Sequence, residues 1–384
     1  MSSLPLLRRL GLLLAALCLN LMPSLLALEI DSVGTGPLEV ACTNMEVTIK
    51  ESDGISDFLQ GSNGWFSSEK YLATVMRYPA AARIVEVAVP ADKKQYGSHA
   101  GTRIPVVTYV TYPTRKDNPR PSYTFPYTNT GDNVFPRMQA PGEKPIFSEA
   151  GARYPLIVYS HGYNAHGLWE LDRFKRLASH GYIVVSIFHG DGRFSGPDNV
   201  LLRPLAFRQV IDQLLADPDF GPAIDPTRIG ASGSSFGGMT ILSCMSGGRA
   251  GESGNGPDTR IKAGFGLVPF TGAFWARPFG KDWATLQGVR VPYLAVYAEA
   301  DSNVPPDTVL GSIAQCSGDS TAVVLPGEKH ILSQEAWTDV KTWELLFFDA
   351  WLKGDAKAQA ALREDTRVRG GVADHKTYHH EARP

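Results

Sequence analysis

The chain has 384 residues, 43% of them hydrophobic and 20% charged, with a formal net charge of -2. That balance gives ample material for a large core, as one large α/β domain or two smaller ones. No basic excess points to nucleic acid as a partner, and no acidic run points to a solvating tail.

Residues 1–27 read as a signal peptide. Arg8 and Arg9 supply the positive start, residues 10–22 are an almost unbroken apolar stretch, and Ala27 fits the last position before cleavage. An uncleaved anchor is the alternative. The run is short for a span and is interrupted by Asn20 and Pro23, which favours removal and no stable membrane span in the mature chain. Cys18 would suit a lipoprotein, but Leu17 before it is too large. A secreted or periplasmic location follows. There, Cys42, Cys244 and Cys316 permit one disulfide and one free thiol, with the pairing open. Cys244 reads as a buried apolar residue, and no Cys or His spacing suggests a metal site.

Residues 28–79 have a weak, mixed pattern and read as an extension packing on the main domain. Residues 83–89 alternate as a half-exposed strand does, and residues 104–112 read as its partner. Residues 116–151, rich in Pro, Asn, Gly and Tyr, read as a long loop. A βα alternation follows. The spacing predicts strands at 155–159, 182–188, 228–232, 262–268, 292–297 and 322–325, with helices at 168–179, 205–215, from 238, and 333–352. Continuous apolar strands separated by helices predict an α/β fold with a mostly parallel, doubly wound sheet flanked by helices. With no linker between residues 84 and 352, one domain spans residues 80–355, and residues 356–384 form a polar C-terminal tail.

Gly233-Ser234-Ser235-Phe236-Gly237 is a G-x-S-x-G run between a short buried strand and the start of a helix. That context makes it a nucleophile elbow presenting Ser235. Glycines two before and two after the serine allow the tight turn, where a Cβ would clash. Neither Ser232 nor Ser234 has glycines at that spacing. A glycine-serine connecting loop is the plain alternative.

A serine hydroxyl needs a base, and the base needs an acid to hold its tautomer. In this kind of sheet the chain order is serine, acid, histidine. Asp301 follows the strand ending at Tyr297, and His330 follows the next strand, so both lie beyond carboxyl ends of strands. Glu299 is the rival acid. His375, His379 and His380 are rival bases, assigned to the tail. The oxyanion donors are assigned to the N–H of Phe236, directly after the nucleophile, and of Tyr163 in Ser160-His161-Gly162-Tyr163-Asn164. His161 reads as a brace for that loop. His189, Asp191 and Arg193 read as cleft lining or a local ion pair, without chemistry. Residues 269–283 hold Phe270, Phe274, Trp275, Phe279 and Trp283 among Gly and Pro. Phe274 and Trp275 are candidates to wall an apolar substrate cleft; packing onto the core is the alternative.

Ser160-His161-Gly162, Gly233-Ser234-Ser235-Phe236-Gly237-Gly238, Asp301 and His330 together resemble an α/β-hydrolase. Within that superfamily the chain is similar to the dienelactone-hydrolase-like enzymes and the platelet-activating-factor acetylhydrolase group over roughly residues 84–352. The Ser-Phe-Gly-Gly stretch and the Arg203-Pro204 helix add to the likeness. Dienelactone hydrolases carry a cysteine where this chain has Ser235, which shifts the expectation from lactones to ordinary carboxylic esters. The acidic slot reads Glu-Ala-Asp where relatives often have a glycine. The resemblance implies ester hydrolysis through an acyl-enzyme, on small-molecule or polymeric esters, because some secreted relatives cleave polyesters. A phospholipid acetyl ester or a peptide bond is the alternative substrate, and an inactive binding protein of the same fold is the alternative of another class. Acyl transfer of this kind implies no cofactor. Oligomeric state is not legible.

Overall fold

The computed structural model describes residues 28–45, 83–124, 134–248, 256–272 and 279–382. The signal-peptide reading of residues 1–27 and the candidate wall residues Phe274 and Trp275 lie outside the described residues.

The central feature is a ten-stranded mixed sheet. Its middle is parallel: β8 (Ile183–Phe188), β7 (Tyr154–Ser160), β9 (Ile224–Ser234), β10 (Ile261–Leu267), β11 (Tyr293–Ala298) and β12 (Ser320–Leu325), in that spatial order. Antiparallel strands complete both ends. β4 (Arg103–Thr114) pairs with β8, and β2 (Glu39–Cys42) and β3 (Arg83–Ala88) pair with β4. The sheet is therefore mixed at its flanks. Strands β7, β8, β11 and β12 are buried along their whole length, and β9 and β10 over their carboxyl-terminal halves, as strands covered on both faces must be.

Alternation along β7 shows how the two faces are filled. Leu156 and Val158 enter one core with Phe207, Val210 and Leu242. Ile157 and Tyr159 enter the other, with Phe174, Trp343 and Phe348. Helices α3 (Gly196–Ala216), α4 (Phe236–Ser246) and α5 (Pro306–Ile313) cover the first face. Helices α2 (Leu171–Ser179) and α6 (Ala336–Leu352) cover the second; α1 (Lys93–Tyr96) is a single turn between β3 and β4. Burying each such aliphatic or aromatic side chain contributes about 1.5–3 kcal/mol. Helix α3 starts well before the predicted residue 205. Ser195 caps it by accepting the Asp198 N–H at 3.3 Å, and the helix runs through Pro204. No helix among the described residues is long and apolar enough to cross a membrane.

The C-terminal segment is not a tail. Residues 356–382 build α7 (Ala356–Arg363), β13 (Thr366–Val368) and β14 (His375–His380). Strand β13 pairs in parallel with β1 (Leu28–Ile30), and β14 pairs antiparallel with β12 at the sheet's edge. Half of each β14 side-chain pair is exposed, so the strand has no apolar run to betray it. What recruits it is the row of backbone groups that β12 would otherwise leave unpaired. Strands β2 and β14, which lie outside residues 80–355, belong to the same sheet as the centre. Residues 116–151 include a short antiparallel pair, β5 (Tyr123–Thr124) with β6 (Val134–Phe135). Cys42, Cys244 and Cys316 are all buried and free, so the disulfide that an oxidising compartment would permit is not formed among them.

Candidate active site

Strand register brings the site together. Ser160 lies opposite Gly233, Ser234 opposite Leu267, and Ala298 opposite Leu325. Chain leaving β7, β9, β11 and β12 therefore emerges along one edge, where open α/β sheets place their sites.

Ser235 occupies the turn between β9 and α4 with φ 52° and ψ -116°. A non-glycine residue at such a φ costs about 1–3 kcal/mol and persists only where neighbours over-determine it. Here they do. The Ser235 N–H donates to Leu267 O at 2.8 Å, and its carbonyl accepts the N–H of Gly238 at 2.8 Å and of Phe270 at 2.9 Å. The glycines are sterically required: a Cβ on Gly233 would collide with the Gly237 carbonyl, and one on Gly237 with the Ser160 carbonyl. No other residue type lets the elbow pass this close to β7.

Ser235, His330 and Asp301, separated by up to 95 positions in sequence, form one hydrogen-bonded chain. His330 Nε2 lies 3.0 Å from Ser235 Oγ, and His330 Nδ1 lies 2.7 Å from Asp301 Oδ2. Asp301 is buried, and its other oxygen accepts the N–H groups of Asn303 at 2.8 Å and Val304 at 2.9 Å. Because the carboxylate can only accept, Nδ1 carries the proton, and the Nε2 lone pair faces the serine hydroxyl. Glu299 is turned elsewhere: it accepts the Gly327 N–H at 2.9 Å and so braces the turn leading to His330. His375, His379 and His380 lie on β14, the outermost strand, where His379 Nδ1 sits 2.9 Å from Thr321 Oγ1.

Phe236 is the first residue of α4, so its N–H belongs to the helix end, where the dipole favours negative charge. Gly162 packs against Ser235: the position of a Cβ on it lies 3.6 Å from Ser235 Cβ. Tyr163, next in the chain, sets its ring edge-on to Phe236 at 5.5 Å. His161 is fully buried behind this loop. Its Nε2 accepts the His189 N–H at 3.1 Å, which leaves the proton on Nδ1, 2.7 Å from Gly162 O. Burial first, then the Arg203 charge, lowers its pKa to about 4, so it is a neutral brace rather than a second base. Asp191 forms a buried ion pair with Arg203, and Arg193 donates to His189 O at 3.0 Å.

A cleft of about 990 Å³ opens over Ser235 and His330. Tyr163, Trp169, Phe236, Phe270, Ile331 and Trp337 supply much of its apolar wall. Of the aromatic-rich segment after β10, Phe270 reaches the cleft, Phe279 is in the core, and Trp283 donates its indole N–H to Thr271 O at 2.7 Å. Trp169, in the turn before α2, and Trp337, on α6, carry no motif that would single them out in sequence.

Sequence reasoning also missed an ionic cluster directly beneath the elbow. Arg173 grips Glu344 with two hydrogen bonds, of 2.8 and 2.5 Å, and pairs with Glu170. Ser232 donates to Glu344 at 2.7 Å and Ser234 to Glu170 at 2.6 Å. All five residues are buried. The only available signal was an arginine on the apolar stripe of α2, between Leu171 and Phe174. No protein-family model matches this chain, and no curated protein matches it. Fold and site define its class no further than an α/β protein with a helix-flanked, mostly parallel sheet carrying this serine–histidine–aspartate chain at its edge.

Proposed function

We propose that the protein is an exported serine carboxylic ester hydrolase of the α/β-hydrolase type, working through an acyl-enzyme. The observation that carries this reading is the continuous chain Ser235 Oγ, His330 and Asp301 at 3.0 and 2.7 Å, opening into the cleft. His330 Nε2 takes the hydroxyl proton as Ser235 Oγ attacks the ester carbonyl carbon. Asp301 holds the imidazole tautomer and stabilises the imidazolium. The N–H groups of Phe236 and Tyr163 receive the oxyanion; one such donor is worth about 3 kcal/mol in related chemistry. The imidazolium then gives its proton to the leaving alcohol. Water, deprotonated by the same nitrogen, releases the acid and restores the serine.

The cleft volume, about 990 Å³, supports esters with a bulky acyl or alcohol part, a polyester chain among them, since ligand pockets run to about 1,000 Å³. The apolar run after Arg8 and Arg9 supports export. Hydrolysis of p-nitrophenyl esters, alongside a polyester emulsion, tests the reading. Ser235→Ala should lower kcat by about 10⁶-fold and abolish labelling by a fluorophosphonate. Undiminished turnover in that variant refutes it.

A further inference from the structure

We propose that Arg203, a buried residue of α3 outside the reacting chain, is the positioning residue of the oxyanion site; this rests on the ester-hydrolase reading above. Its side chain is 1% exposed and reaches both halves of the candidate donor pair. On one side, Nη1 donates to His161 O at 2.6 Å and Nη2 to Gly162 O at 3.0 Å. On the other, the guanidinium lies 4.9 Å from the centre of the Phe236 ring. Asp191 aims the fork: it accepts Arg203 Nε at 2.7 Å and pairs with Nη2. The same carboxylate accepts the Asn164 N–H at 2.8 Å. The ion pair thus holds the loop at two carbonyls and at one amide beyond Tyr163.

Peptide geometry turns this grip into an orientation. In a planar trans peptide the C=O of one residue and the N–H of the next point in opposite directions. Arg203 draws the Gly162 carbonyl inward, helped by His161 Nδ1–H at 2.7 Å and Ala165 N–H at 3.2 Å. The Tyr163 N–H is therefore turned away from the guanidinium, toward the cleft that Gly162, Tyr163 and Ser235 line together. A planar fork suits this task, because one rigid group satisfies two neighbouring carbonyls while stacking on a ring. An ammonium at the same place is a point charge and cannot do all three. Burial by itself would raise the Asp191 carboxyl; the Arg203 charge and hydrogen bonds outweigh that and hold it below its usual value.

Arg203→Lys and Arg203→Met test the inference, with Asp191→Asn as a route to the same carbonyls that leaves the arginine in place. The measurements are kcat and KM for a p-nitrophenyl ester and Ki for a trifluoromethyl ketone, whose serine adduct carries the oxyanion. Misplacing a donor should lower kcat about 10- to 100-fold and weaken the ketone by the same factor, with KM within about threefold. The lysine variant should lie between parent and methionine. A purely structural role would lower thermal stability and leave the ratio of Ki to KM unchanged. Should the methionine variant not fold, the lysine and Asp191→Asn variants decide. If the parent hydrolyses esters and folded variants keep its kcat and its Ki, the positioning role is overturned alone. If the parent neither hydrolyses esters nor reacts with a fluorophosphonate, the hydrolase reading falls, and this inference with it.

Discussion

Replacing Asp301 by asparagine changes a single atom type, and its effect can be worked out from the contacts. Asp301 Oδ1 accepts two backbone N–H groups, of Asn303 at 2.8 Å and Val304 at 2.9 Å. An asparagine keeps its carbonyl oxygen there, since flipping the amide would forfeit two hydrogen bonds of about 1 kcal/mol each. Its NH2 group then faces His330 Nδ1, where Asp301 Oδ2 sat 2.7 Å away. Two donors cannot share that contact, so the imidazole loses its proton from Nδ1 and carries it on Nε2. The hydrogen now points at Ser235 Oγ, 3.0 Å away, and the base has no lone pair to offer. The same tautomer error in a well-studied serine triad lowers kcat about 10⁴-fold, or about 5 kcal/mol. Initial rates on p-nitrophenyl butyrate for Asp301→Asn, with circular dichroism to check folding, provide the assay. Glu299→Gln serves as the matched control and should stay within about twofold of the parent. A folded Asp301→Asn variant within tenfold of the parent would refute the reasoning, as would a larger loss in Glu299→Gln.

Three further outcomes are expected. Arg173→Met leaves the buried carboxylates of Glu170 and Glu344 without their cation, and should cost about 3–5 kcal/mol, read as a lower urea midpoint; an unchanged midpoint contradicts this. Trp337→Ala removes a wall of the cleft and should raise KM about tenfold for a bulky aryl ester while sparing the acetyl ester; equal effects on both would count against a binding role. Asp339 and Asp374 are buried close together, and burial first, then the Asp374 charge, raises the Asp339 pKa to about 8. The folded chain keeps a proton that the unfolded chain releases near 3.8, so stability falls as pH rises from there to about 8. Asp339→Asn should flatten the decline of the thermal midpoint between about pH 5 and 7, and an unaltered slope would refute it.

Much of the molecule is legible in short stretches. Apolar runs of strand length marked the parallel strands, and the pentapeptide around Ser235 announced its own turn, because the steric need for Gly233 and Gly237 is local. The edge strand at His375–His380 was illegible for the opposite reason. Its place depends on the open side of β12 rather than on any pattern of its own. Arg173 and Arg203 look like surface residues in a linear reading, since charge normally keeps a side chain in water. Only the partners that folding brings to them, Glu344 from 171 positions away and Asp191 from 12, make burial tolerable.

By itself, then, the amino-acid sequence determined the local elements, the strained serine and the slots after the strands where an acid and a base could stand. Tertiary structure decided which occupants meet. Asp301 rather than Glu299 faces His330, and His330 rather than a histidine of β14 faces Ser235. Hydrogen bonds act over about 3 Å, and that distance is set by the register of β9, β11 and β12, which no short stretch of chain contains.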